Sequence, residues 1–316
     1  MAKSRRKKSG LSFKARMWLI LLVIAAFAAG VISLLHFTGI MTVNEMLYKA
    51  GFKDKPAVSP DTQVHFIDVG QGDCTLVISK GEVMVIDSGD RDDSDSVVKY
   101  LKEQGVKKIK YLIATHPHAD HIGEMPEIIG SFDVENFIMP KIPDEFVPAT
   151  KTYEDMLAAL KAKGIKATKA EDCELTLGEC KLKLYKSNIE NDSNLNNYSV
   201  LVKVVHGSNS FLITGDCERE EEQDILSRGC DIRAKVLKAG HHGSYTSSSA
   251  EFLDKVLPRY VVISCGRVND YGHPNEETVD RLAKYADEIY VTAEVGTVVF
   301  ESDGEGISVK YERQQE

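Results

Sequence analysis

Within six residues the chain gathers three histidines and one aspartate, as His116-Pro117-His118-Ala119-Asp120-His121. The stretch follows directly on residues 109–114, a short apolar run of the length and composition of a buried strand. Two imidazoles at i and i+2 of an extended segment point the same way, so His116 and His118 are able to meet one ion. Asp120 and His121 then turn toward a neighbouring position. A solvated polar loop rarely collects three His and one Asp, and a loop at a strand end is where a rigid scaffold presents reactive groups. The run is therefore read as a metal-ligating motif, and it demands a sheet whose edge is open to a ligand.

The rest of the chain supplies such sheets. Strand patterns occur at 64–69, 74–79, 83–87 and 109–114, and again at 200–205, 211–214, 234–238 and 260–264. Residues 95–104 have helical spacing, with Val97, Val98 and Leu101 on one face and Gly105 as the stop. Residues 153–163, stopped by Gly164, and the charged stretch 218–227 also read as helices. Strands clustered in each half with helices between them predict an α/β domain of two packed sheets covered by helices. The turn Gly70-Gln71-Gly72-Asp73 lacks the following helix that a nucleotide-binding glycine motif needs. Asp73 stands either near the metal edge or in plain turn chemistry.

The N-terminus belongs to another class. Lys3, Arg5, Arg6, Lys7, Lys8, Lys14 and Arg16 precede residues 17–35, nineteen residues without a charge. As a helix that run spans about 28 Å, close to the hydrocarbon thickness of a bilayer. The expected organisation is a basic cytoplasmic leader at 1–16, a transmembrane helix at 17–37, a tether at 38–61 and a catalytic domain at 62–316. Positive charge on the leading side predicts that the domain lies outside the cytoplasm. A cleaved signal peptide, with Ala26, Ala28 and Ala29 at the cleavage site, is the alternative. Six cysteines in such a compartment permit disulfides, for instance Cys173 with Cys180 or Cys217 with Cys230, and no CxxC occurs.

The central run resembles the HxHxDH motif of the metallo-beta-lactamase-fold hydrolases, and the likeness covers nearly all of residues 62–311. Five phrases in order are similar to the C-terminal hydrolase domain of ComEC-type DNA-uptake competence proteins. They are Phe-Ile-Asp-Val-Gly-Gln-Gly-Asp at 66–73, Asn-Asn-Tyr-Ser at 196–199, Thr-Gly-Asp at 214–216, Gly-His-His-Gly-Ser at 240–244 and Tyr-Gly-His-Pro at 271–274. The resemblance implies an αββα sandwich of two mixed sheets with one or two divalent ions, zinc or manganese, at an edge between them. His116 and His118 would hold the first ion, and Asp120 and His121 the second. Asp216 would bridge the two. His241 is favoured as the last ligand because such relatives place it directly after Gly. His242 would then stand on substrate or in the shell, and Asp120, which also orients the nucleophile, His241 and His242 are the expected catalytic residues. Asp68 would hydrogen-bond a ligand histidine. One family feature is missing: between His121 and Asp216 the only histidine is His206, mid-strand, and Asn196, Asn197 and Ser199 stand where the middle ligand belongs. Ser244 and His273 are expected near substrate or metal.

The resemblance implies hydrolysis of a phosphodiester, in DNA or another nucleic acid, at the outer membrane face, beside DNA-uptake or envelope partners. Charge is the objection. The 39 basic residues less seven in the leader leave 32 against 48 acidic, a balance of −16 that repels polyanions unless a metal or local patch reverses the field. Two other readings stay open: an exported hydrolase of small esters or cell-wall phosphoesters, and an inactive metal-fold scaffold. The missing middle histidine argues against a beta-lactam substrate.

Overall fold

The computed structural model describes residues 61–91 and 96–312, with positions 14, 17, 22 and 30, each helical, besides. The chain divides into units 1–56 and 57–316. Apart from those four positions, the expected leader, transmembrane helix and tether lie outside the described residues. Among the described residues no helix is long and apolar enough to cross a membrane.

The second unit begins with strands β1 (Thr62–Phe66), β2 (Thr75–Ser79) and β3 (Glu82–Ile86), then helix α1 (Ser96–Glu103) and strand β4 (Lys108–Ile113). Short helices α2 (Ala119–Ile122) and α3 (Met125–Ser131) lead to β5 (Asp133–Met139), and α4 (Lys151–Lys163) leads to β6 (Ala167–Lys169). The hairpin β7 (Cys173–Leu177) and β8 (Cys180–Tyr185) is followed by a second, β9 (Leu201–His206) and β10 (Asn209–Ile213). Helix α5 (Arg219–Ser227), β11 (Val236–Lys238), α6 (Ala250–Val256), β12 (Tyr260–Ile263), α7 (Glu276–Leu282) and β13 (Glu288–Val291) alternate after that. A single-turn helix α8 (Thr292–Val295) precedes the closing hairpin β14 (Val298–Ser302) and β15 (Ile307–Tyr311).

Connection length explains the topology. Strands joined by tight turns pair antiparallel, and strands joined through a helix pair parallel. The first sheet runs β15-β14-β1-β2-β3-β4-β5-β6, antiparallel as far as β3 and parallel from β3 to β6. The second runs β13-β12-β11-β10-β9-β8-β7, parallel to β10 and antiparallel beyond it. Both sheets are mixed, as expected. The closing hairpin and β5, β6 and β13 are additions that the sequence pattern did not reveal.

Three apolar layers hold the sheets and helices together. Val64, Phe66, Met84, Val204, Phe211 and Phe300 belong to the layer between the sheets. Leu76, Val85, Leu101 and Leu112 lie with Met125 and Leu160 under α1, α3 and α4. Leu212, Leu237 and Val261 pack against Ile225, Leu253 and Leu282 of α5, α6 and α7. The result is the αββα sandwich. Alternation along β1 sends Val64 and Phe66 inward and His65 outward, where its Nδ1 meets the Tyr100 hydroxyl at 2.7 Å. Burial holds His65 down to about 4, so it is a neutral structural group. The cysteine pairings do not form; all six thiols are free. In the β7–β8 register Cys173 stands opposite Leu184 and Cys180 opposite Leu177, so the hairpin keeps them apart.

Candidate metal centre

Each sheet changes from antiparallel to parallel at one strand, β3 in the first and β10 in the second. Open α/β sheets bind ligands beyond the carboxyl ends of their strands at such reversals. Asp87 follows β3, the run His116–His121 follows β4, Asp216 follows β10, and His241 and His242 follow β11. The two halves of the site thus come from different sheets.

The first sheet contributes a braced loop. Asp87 accepts from the backbone N–H of Thr115 at 2.8 Å and from its hydroxyl at 2.7 Å. Its Oδ2 also lies 2.8 Å from His121 Nδ1. That contact fixes the ring so that Nε2 faces Asp216 Oδ1 at 3.2 Å. His116 Nε2 and His118 Nδ1 face each other at 3.1 Å. The Gly70–Asp73 turn closes from below, with the Asp73 N–H donating to the Asp120 carbonyl at 3.1 Å. Only glycine fits at position 72, where φ is +143° and a Cβ would stand 2.4 Å from that carbonyl oxygen.

From the second sheet, Ser199 Oγ accepts from the Asp216 N–H at 3.1 Å and donates to the Asn196 carbonyl at 2.8 Å. His241 and His242 both adopt left-handed backbone, φ +46° and +53°, a conformation that side chains other than glycine rarely take. The His241 N–H donates to the Gly215 carbonyl at 3.2 Å, and the Ser247 hydroxyl donates to the Gly240 carbonyl at 2.7 Å. This turn decides which imidazole enters the cluster. His242 Nε2 lies 3.1 Å from Asp120 Oδ2 and 3.4 Å from Asp216 Oδ2. His241 instead directs Nδ1 to Glu218 Oε1 at 2.9 Å and reaches Asp216 Oδ2 only at 3.8 Å. The expected order of the two is therefore reversed: His242 stands with Asp120, His121 and Asp216, while His241 stands beside Asn196, 3.5 Å from its Nδ2.

Asp68 Oδ1 accepts from the Gly70 N–H at 3.3 Å, and the Asp87 carboxylate, outside the expected set, lies against the cluster histidine His121. Strand order places Asp87 there, because β3 is the neighbour of β4, whereas β1 lies three strands away. Asn197 is likewise turned aside, its Nδ2 bonded to Asp192 Oδ2 at 2.7 Å. Ser244 Oγ pairs with Thr246 Oγ1 at 3.0 Å, and Thr246 Oγ1 lies 3.2 Å from His241 Nδ1. The His273 ring sits 5.3 Å from that of His241 and 6.0 Å from that of His242.

Asp73 and Lys238, neither among the expected site residues, form a fully buried ion pair behind the cluster. Asp73, His121, Asp216 and His242 bring one potential ligand atom each within 4.8 Å of one another. Asp73, however, faces His242 Nδ1 at 3.4 Å, whereas the ring's Nε2 faces Asp120 and Asp216. It backs the imidazole rather than sharing its open side.

A divalent cation fits this set. Asp73, Asp87, Asp120 and Asp216 oppose one buried lysine, and buried negative charge requires a counterion. His121 Nε2, Asp216 Oδ1 and Asn196 Oδ1 are buried without a hydrogen bond. Burial opposes charge on His121 and His242, yet the carboxylates around them, Asp216 foremost, hold both well above the ordinary imidazole range. Burial also opposes charge on Asp216, but His121 and His242 keep its carboxyl well below the usual value. His116, deeper and beside His121, is pushed down by burial. Imidazole and carboxylate together suit zinc or manganese. Because Asp87 sets the His121 ring, Asp87→Asn is expected to weaken metal affinity about 10- to 100-fold with the fold retained. Metal titration followed by circular dichroism checks this, and unchanged affinity would remove Asp87 from the supporting shell.

With this geometry in hand, known proteins are informative. The sequence profile described as the Metallo-beta-lactamase superfamily matches residues 67–179. The chain is 28% identical over 264 residues to ComE operon protein 3 of Bacillus subtilis, covering 78% of this chain and 34% of that protein. It is 30% identical over 249 residues to Recombination protein 2 of Haemophilus influenzae, covering 77% and 29%. It thus spans about a third of the length of these curated relatives. A solved structure of a mutant CmlA beta-hydroxylase shares the fold, with a TM-score of 0.52 and 11% identity over 78% of this chain and 55% of that one.

Proposed function

This chain carries a metallo-beta-lactamase superfamily domain with the metal-dependent hydrolase fold, and from that premise we propose that it is a membrane-anchored, extracytoplasmic phosphodiesterase acting on DNA or another nucleic acid. The observation that carries the reading is the convergence of buried His121, His242 and Asp216 with half-buried Asp120 from two sheets, with His116 and His118 adjoining. The likeness to Recombination protein 2 and to a protein of the ComE operon directs it toward nucleic acid. Seven basic residues ahead of the apolar run 17–35 support the anchor and the outward orientation. In this reading the domain acts beside DNA-uptake or envelope partners.

His116 and His118, with the Asn196 amide oxygen, would hold one ion, and Asp120, His121 and His242 would hold a second, with Asp216 within reach of either set. Such ions supply Lewis acidity and a water nucleophile usable at neutral pH. Asp120 is the cluster carboxylate with most access to solvent, 26% exposed at its side chain. Its Oδ2, hydrogen-bonded to His242 Nε2 at 3.1 Å, is placed to orient the attacking water and receive its proton. The carboxylates at Asp73 and Asp87 stay behind the rings and hold them in place. Bound metal also answers the objection of net charge, since it offers a phosphate a positive focus in an otherwise acidic domain.

The test is elemental analysis of the full chain in detergent, together with cleavage of single- and double-stranded DNA and of bis-p-nitrophenyl phosphate. The expected result is about one or two equivalents of zinc or manganese and cleavage that chelation abolishes. Bound metal with both DNA forms and the model diester left intact would move the search to small exported esters. Absence of metal under every loading condition would leave a scaffold.

A further inference from the structure

Folding leaves two aromatic side chains exposed among the described residues, Tyr245 at 65% and Tyr271 at 72%, and both border the metal cluster. Tyr245 lies between Ser244 and Thr246, and Thr246 Oγ1 is 3.2 Å from His241 Nδ1. Tyr271 stacks on His273 with centroids 5.6 Å apart and planes 20° from parallel. His273 in turn stands edge-on to His241 at 5.3 Å. A row of rings therefore runs from solvent to the cluster.

The loop that presents Tyr271 is held rigidly. Asn269 Nδ2 donates to the carbonyls of Gly266 at 3.0 Å and His273 at 2.7 Å. Its Oδ1 accepts from the N–H groups of Tyr271 at 3.2 Å and His273 at 2.9 Å. Gly266 N–H is tied to Gln71 Oε1 at 3.1 Å, which joins the loop to the turn beneath the cluster. Arg267, exposed on the same loop, donates from Nε to the Ala293 carbonyl at 3.1 Å. An exposed ring on a pre-ordered loop loses little entropy when a flat partner covers it.

We infer that Tyr271 and Tyr245 form a base-stacking rim, so that the site takes single-stranded polynucleotide with an unpaired base on Tyr271 beside the phosphodiester at the metal cluster. This rests on the phosphodiesterase reading. Single strands offer free base faces, whereas in a duplex those faces are already stacked. Stacking also gives affinity that does not depend on net charge, which suits a domain whose balance repels phosphate.

Binding of the full chain in detergent to a labelled phosphorothioate oligothymidylate, which resists hydrolysis, tests the inference by fluorescence anisotropy. The comparisons are an abasic oligomer of equal length and a blunt duplex. Oligothymidylate is expected to bind more tightly than either. Tyr271→Ala and Tyr245→Ala should each weaken it about 5- to 100-fold without changing abasic binding, while Tyr271→Phe keeps it. Equal binding of base-bearing and abasic oligomers, equal binding of duplex, or alanine variants that retain full affinity would each overturn the rim. No turnover is needed, so tyrosine-dependent binding without DNA cleavage would remove the phosphodiesterase and leave the rim. Cleavage without base-dependent binding would do the reverse.

Discussion

Asp216→Ala is expected to abolish metal-dependent diester hydrolysis, with a fall of more than about 1,000-fold, well beyond the 10- to 100-fold typical of a supporting residue. Its carboxylate reaches every part of the cluster. Oδ1 lies 3.2 Å from His121 Nε2, and Oδ2 lies 3.4 Å from His242 Nε2 and 3.8 Å from His116 Nε2. Asp120 and Asp73 also approach both His121 and His242, and Asp216 adds His116 to that reach. Without the carboxylate, His121 and His242 lose the anion that most favours their charged form, and burial weighs more heavily against that form. The donors remain, but the charge that recruits a cation and the contact shared by both halves of the site are gone. Metal content should fall with turnover, and Asp216→Asn, which keeps volume and one acceptor, should retain more metal than alanine. A variant that keeps its full metal complement and turnover to within about tenfold contradicts the bridging role.

The parts of this centre that were legible in the sequence are those that lie close together along the chain. His116, His118, Asp120 and His121 share one loop behind one strand, so their convergence follows from local spacing. Asp216 was legible through Thr-Gly-Asp at the end of a recognisable strand. His241 and His242 are adjacent, and two left-handed backbone positions decide which ring turns inward. Spacing carries no trace of that choice, although the flanking Gly240 and Gly243 mark an unusual turn. Asp87 was hidden for a different reason. Asp68 and Asp87 both follow strands and both precede glycine-containing turns, and only the order of strands in the sheet distinguishes them.

The Asp73–Lys238 ion pair joins residues far apart in sequence, and Lys238 sat in what otherwise scanned as a buried strand. A lysine in an apolar strand is the signal that was available, because a buried ammonium group requires a partner. The fold class was legible from the alternation of hairpins with helical crossovers. The β14–β15 hairpin was not, since its partner β1 lies at the far end of the domain sequence. That long-range pairing carries the residue on which the second large effect depends.

Phe300→Ala is expected to cost about 3–5 kcal/mol of stability, a large part of the roughly 5–15 kcal/mol that holds a domain folded. Phe300, on β14, is fully buried between the sheets. It meets Phe66 of its own sheet at 6.0 Å edge-on. From the opposite sheet it meets Phe211 at 6.0 Å, Tyr260 at 5.6 Å and Tyr290 at 6.0 Å. Four rings surround the vacancy, and rings on rigid strands collapse poorly into a void, which places the cost toward the upper end of the range. Denaturant unfolding measures it as a lower midpoint at unchanged slope, and a loss below about 1 kcal/mol would mean that the sheets repack. Phe300→Leu, which leaves a smaller void, should lose less. The consequence extends to the candidate metal centre, because the proposed ligands arrive from both sheets: His116, His118, Asp120 and His121 after β4, and Asp216 and His242 after β10 and β11. Loosening the layer that fixes one sheet against the other lets those two sets separate, so metal affinity should fall in Phe300→Ala even though the residue touches none of the ligands.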